Sequence, residues 1–164
     1  MKPTINLDDV PLERHIHGET FEARNGGIAK LIGGKQLGYS LVVVPPGKRA
    51  FPYHCHHVNE EMFLILEGRG VVRIGGEEHP IRKGDVIATP AGGRETAHQI
   101  INTSDEELRY LCVSTMSSTE VLEYPDSQKV GVYVGSPPGG NRADRSFHFR
   151  GWPGREEQGY WDGE

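Results

Sequence analysis

The chain of 164 residues carries a formal net charge of −5, with 35 % hydrophobic residues, 22 glycines and 11 prolines. That length suits one compact domain, and an acidic balance without any Lys/Arg-rich run argues against nucleic acid as a partner. No apolar span is long enough to cross a bilayer, the polar start MKPTINLDDVPLERH lacks a signal-peptide segment, and two cysteines make no disulfide framework, so a cytoplasmic protein with no membrane partner is expected.

Residues 1–35 are Gly-rich and weakly periodic (HGETFEARNGGIAKLIGGK) and read as an arm carrying one or two short strands. Residues 36–116 hold nearly all the strand signal. LGYSLVVV is a β-branched run that stops at the PPG of residues 45–47, EMFLILEG follows, and GVVRIGGEEHPI reads as a hairpin turning at Gly75-Gly76. DVIATPAG, AHQIINTSDEE and LRYLCVST complete the set. The runs are short, and no convincing helical pattern separates them, which predicts an all-β antiparallel sandwich or barrel. Residues 117–164 contain a short strand pattern in YPDSQKVGVYVG. The remainder, SPPGGNRADRSFHFRGWPGREEQGYWDGE, has no strand or helix period. This tail is expected to be extended and irregular, and its five aromatic residues imply that it packs on the barrel or on a partner subunit.

Chemistry concentrates in HCHHVNEEMFLILEG. Alternation along a strand puts His54 and His56 on one face and Cys55 on the other. If HVNE turns the chain into a hairpin, Glu61 falls beside the histidine pair, with Phe63 and Ile65 on its face. Glu60 and His57 are then out of phase. The opposite face, Met62, Leu64 and Leu66, is apolar and needs a cover: the arm, the tail or a second copy, which makes a homodimer an expectation. A further group comes from GDVIATPAGGRETAHQIIN, where His98 and Asn102 project from the same face of a strand. Three imidazoles and one carboxylate, His54, His56, Glu61 and His98, make a mixed N/O site for one divalent transition metal ion, Zn, Mn, Fe, Ni or Co.

These residues carry a resemblance to the cupin superfamily. Its first motif, G-x5-H-x-H-x3-4-E-x6-G, is matched by Gly47, His54, His56, Glu61 and Gly68, with six residues in the first gap. The second, G-x5-P-x-G-x2-H-x3-N, is matched by Gly84, Pro90, Gly92, His98 and Asn102, with five residues before the histidine. Strict spacing would land on Glu95, a second carboxylate candidate near the metal. The resemblance covers residues 36–116 and implies a double-stranded β-helix (jelly roll) with the metal inside and dimers in solution. The arm and tail are similar to those of small single-domain cupins labelled sugar-phosphate isomerases.

The implied function is a metal-dependent enzyme, an isomerase, lyase or dioxygenase, acting on a small polar or anionic molecule. A non-catalytic binding or sensing cupin is the alternative. No general base is evident; Tyr53 and Glu95 are the nearest candidates. Arg49 and Arg94 flank the motifs and could grip an anionic substrate, with Phe63 and Asn102 as further lining residues. Cys55 and Cys112 read as small buried hydrophobes, Cys112 also as a minor thiol-ligand candidate.

Overall fold

The structure, a computed structural model, describes residues 3–154. In chain order its strands are β1 (Glu13–His17), β2 (Phe21–Gly27), β3 (Leu37–Val44), β4 (Cys55–His56), β5 (Glu61–Glu67), β6 (Arg69–Ile74) and β7 (Glu77–Arg82). They continue as β8 (Val86–Thr89), β9 (His98–Ile101), β10 (Leu108–Thr115), β11 (Thr119–Tyr124), β12 (Lys129–Val134) and β13 (Phe147–Gly151). Every strand pair is antiparallel. One wall is the six-stranded sheet β1-β2-β3-β10-β5-β8. The other joins β13-β12-β11-β4 to β7-β6-β9 through reciprocal backbone bonds, His54 N to His98 O at 3.2 Å and His98 N to His54 O at 2.8 Å.

Between the walls lie Val42, Val44, Phe63, Ile65, Val72, Ile81, Ile100, Leu108 and Tyr110. Strand β5 shows the expected phase: Phe63 and Ile65 are buried, and Met62 faces out. The β6–β7 turn falls at Gly75-Gly76, both with positive φ (57° and 96°), the backbone of a two-residue type I′ hairpin. Gly68 has φ 81°, and a Cβ there would lie 2.3 Å from the Glu107 carbonyl oxygen, so only glycine lets the chain turn from β5 into β6 under that loop.

The outward apolar face of β5 is covered in part by the chain's own start. Ile5, Leu7, Val10 and Leu12 pack with Leu41, Leu66 and Leu111. Met62 and Val86 stay 36 % and 64 % exposed. The tail carries the short strand expected in YPDSQKVGVYVG and departs from the irregular segment expected after it. Residues 119–124, 129–134 and 147–151 are paired strands, and β11 pairs with β4, the strand that carries the H-x-H motif. Phe147–Gly151 is a five-residue edge strand exposed along most of its length, too short and too little buried to stand out from the surrounding segment. Residues 155–164, with Tyr160 and Trp161, lie outside the described residues.

Candidate metal centre

His54, His56, Glu61 and His98 converge inside the barrel, their ligand-type atoms all within 4.8 Å of one another. Glu61 Oε2 is 3.0 Å from His98 Nε2 and 3.4 Å from His56 Nε2. The route differs from the hairpin expected. Strand β4 does not pair with β5; the two belong to opposite walls, and residues 57–60 cross between them. His54 and His98 are brought face to face by the bridge between β9 and the segment leading into β4. The five residues between Gly92 and His98 include a short 3-10 turn at Arg94–Thr96, which absorbs the longer motif spacing.

Each imidazole is oriented by an oxygen at Nδ1. His54 Nδ1 lies 2.7 Å from Pro52 O, His56 Nδ1 3.2 Å from Glu120 Oε2, and His98 Nδ1 3.3 Å from Thr96 O. A neutral ring donating from Nδ1 presents the Nε2 lone pair to the cluster, the arrangement that fixes histidine ligands for a metal. His56 Nε2 is buried and has no hydrogen-bond partner, a cost an ion would remove. The donor set and this orphaned nitrogen fit a divalent transition metal, which His54, His56, Glu61 and His98 would hold.

The electrostatics favour a ligand state at His54 and Glu61 and leave a proton for an ion to displace at His56. Burial, with His98 and His56 adding positive charge, depresses His54 to about 3. Burial also opposes charge on His56, but the Glu120 and Glu61 carboxylates outweigh it and raise that ring to about 9. Burial would raise Glu61, yet His56 and His98 hold its carboxyl far below the usual range. Cys112 Sγ stands 3.8 Å from Glu61 Oε1, and burial beside that carboxylate pushes the thiol well up. It therefore stays protonated, a neutral donor to Glu61.

Two side chains unmarked by the motifs hold the centre together. Glu120, fully buried on β11, takes His56 Nδ1 and also accepts from Val58 N at 3.1 Å, Asn59 N at 3.0 Å and the Asn59 amide. Asn59 Oδ1 accepts from Thr115 Oγ1 at 3.0 Å and Ser117 N at 2.8 Å. Together they pin the 57–60 crossing and so fix His56 relative to Glu61. The available signal was a glutamate sharing the inward phase of Leu122 in a strand.

Several candidates do not reach the centre. Tyr53 alternates to the other face, buried with Cys55 and Ala97 under the Arg73 guanidinium, 3.8 Å from its ring centroid. Glu95 turns back on the Gly93 amide. Arg94 pairs with Glu123 at 2.9 Å on the outer surface, and this occupied charge fills the second histidine cluster, Cys55, His57 and Glu123. Arg49 bridges Phe21 and Ile101 through its backbone. Asn102, fully buried, donates to Val44 O and Glu106 O and braces the barrel. Phe63 does line the cavity, its ring 5.5 Å from that of His98. That cavity, about 1170 Å³, is lined by the cluster and by Tyr124 and Lys129 as well.

A two-walled antiparallel jelly roll with an inward His3Glu cluster defines a double-stranded β-helix of the kind that could bind a metal. A model of the cupin domain matches residues 40–114, and the chain belongs to the cupin superfamily. It is 30 % identical over 127 residues to an uncharacterized protein of Methanocaldococcus jannaschii, covering 75 % of this chain and 90 % of that one. It is 35 % identical over 75 residues to an oxalate-binding protein of Thermotoga maritima, covering 46 % and 59 %. The crystal structure of a sugar phosphate isomerase from the cupin superfamily of Silicibacter pomeroyi superposes with a TM-score of 0.75 at 24 % identity, covering 92 % and 96 %. Among the described residues no helix is long and apolar enough to cross a membrane.

Proposed function

We propose that the chain is a metal-dependent enzyme in which His54, His56, Glu61 and His98 hold one divalent transition metal ion and a small oxyanionic molecule is the substrate. The observation that carries this reading is the convergence of three imidazoles and one carboxylate within 4.8 Å, each ring held at Nδ1 by an oxygen. Bound there, the ion would supply Lewis-acid polarisation of substrate oxygens, chemistry common to isomerases, lyases and dioxygenases. The chain's own residues do the rest. Glu61 neutralises charge and, with the rings, orients the centre. Phe63 and Tyr110, their rings 5.8 Å apart, give it an apolar flank. The protonated Cys112 thiol keeps the second Glu61 oxygen engaged.

A cavity leading to the cluster favours catalysis over a closed structural site. The oxalate named for the Thermotoga relative, a small chelating dianion, supports the same substrate class. The exposed Met62 and Val86 support a homodimer, and the two free cysteines a reducing, cytoplasmic setting. Protein loaded with Mn(II) should enhance water-proton relaxation through ion-bound water, and oxalate should reverse the enhancement on saturation. No enhancement in the loaded protein would mean that protein groups fill the coordination, which suits a carrier or sensor instead.

A further inference from the structure

The rows of side chains that carry the histidines continue into the C-terminal strands. In one row His98 faces His54, the ring of His54 lies 6.1 Å from that of Tyr124 at 25°, and Tyr124 pairs with Lys129. In the next, His56 pairs with Leu122, Leu122 with Gly131, and Gly131 with Arg150. Directly opposed residues share a face of the sheet, so Lys129 and Arg150 stand on the face that bears the histidines, and both line the cavity. With strands about 4.8 Å apart, the Lys129 backbone sits about 10 Å from that of His54, and the Arg150 backbone about 14 Å from that of His56.

Arg150 is unlike most arginines of this chain. Arg14, Arg24, Arg69, Arg73, Arg94 and Arg109 each pair with a carboxylate. Among the described residues Arg150 pairs with none, and it is the only arginine lining the cavity. Its Nε and Nη2 donate instead to the phenol oxygen of the buried Tyr133, at 3.0 and 2.5 Å. A neutral phenol orients a guanidinium without cancelling its charge, and the remaining donors stay available for a bidentate grip. Gly131 keeps the space open: a Cβ there would meet the Tyr133 ring at 3.0 Å. Lys129 likewise has no carboxylate partner among the described residues; its ammonium lies 6.0 Å from the Tyr124 ring centroid and 5.9 Å from that of Trp152. Two cations without carboxylate partners on one cavity face set up a positive field that draws an anion.

We propose that Lys129 and Arg150, positioned by Tyr124 and Tyr133, form an oxyanion subsite for the phosphate or carboxylate end of the substrate whose other oxygens reach the His54–His56–Glu61–His98 cluster. This deepens the function proposed above and rests on it for the chelating end. The substrate class becomes a small acid whose anionic group is set several bonds away from its chelating oxygens.

The test separates the two ends by using protein stripped of metal with a chelator. Inorganic phosphate and acetate are titrated calorimetrically into the wild type, Arg150→Gln, Arg150→Lys and Lys129→Gln. At least one anion should bind the wild type saturably, and whichever binds more tightly identifies the terminal group. Arg150→Gln should weaken that binding about tenfold or more, Arg150→Lys less, and Lys129→Gln measurably. Arg150 is exposed on an edge strand, so the variants should keep the wild-type circular dichroism. Wild-type affinity in Arg150→Gln, or no saturable binding of either anion to the wild type, overturns the subsite. The metal content of the same preparations reports separately: wild type that cannot be loaded sinks the metal reading, while anion binding stands or falls alone.

Discussion

Glu61→Ala should lose divalent-metal binding by at least about a hundredfold, about 2.7 kcal/mol, whereas Glu60→Ala should bind like the wild type. The two glutamates are adjacent in sequence and alike in chemistry. What separates them is the two-residue alternation of a strand, which sends one carboxylate into the barrel and leaves the other in solvent. Glu61 lies within 3.4 Å of two imidazoles and is the sole anion of the cluster. Glu60 is exposed and contributes a backbone N–H to Thr115 Oγ1. Calorimetric titration of Zn(II) or Mn(II) into both variants reads the difference directly. Metal binding that survives in Glu61→Ala and fails in Glu60→Ala would put the phase of β5 off by one residue.

The second large effect is expected at Glu120, which touches no ion. Glu120→Ala strands His56 Nδ1, the backbone amides of Val58, Asn59 and Val121, and the Asn59 side-chain amide. Breaking a buried charged network of this kind costs about 3–5 kcal/mol, so thermal unfolding should fall by roughly 10 °C for a chain of this size. The milder Glu120→Gln keeps an acceptor and should fold, while weakening metal binding about 10–100-fold, the usual effect of losing a group that orients a ligand.

A pH signature distinguishes this role from simple destabilisation. The raised pKa of His56 means that its protonated form stabilises the metal-free fold fully below the ordinary imidazole range, and that this contribution is lost as pH rises through about 9. A metal must displace that proton. Wild-type affinity should therefore climb about tenfold per pH unit between roughly pH 7 and 9. In Glu120→Gln the climb should end at lower pH. An unchanged profile would mean that Glu120 only holds the fold.

The alternation in HCHHVNEEMFLILEG is enough to sort His54, His56 and Glu61 from Cys55, His57 and Glu60, because successive side chains of a strand point to opposite faces. The spacing of His98 to Asn102 likewise located the third imidazole. The connection was harder. A hairpin and a crossing between two walls both bring residues 56 and 61 together, and a local pattern does not distinguish them. The crossing is fixed by Asn59 and Glu120, 61 residues apart in sequence, and no local period records a contact over such a separation.

The tail was illegible for another reason. Strand β13 is a five-residue exposed edge, with its phenylalanines on one face and His148 and Arg150 on the other, so no buried face marks it as part of the barrel. That concealed the cavity residues it supplies. Arg49 and Arg94 stand near motif residues in sequence but do not line the cavity, while Tyr124, Lys129 and Arg150 reach it from 68 to 94 residues beyond His56. Nearness along the chain is a poor guide in a jelly roll, whose neighbouring strands come from distant segments.

The most direct measurement is elemental analysis of the untagged protein, as purified and after incubation with Zn(II), Mn(II) or Fe(II), alongside His98→Ala. The account predicts about one tightly held transition-metal ion per wild-type chain and near-complete loss in the variant, with the fold preserved. A wild-type chain that retains no stoichiometric ion after loading, or an ion equally retained when His98 is replaced, would contradict it.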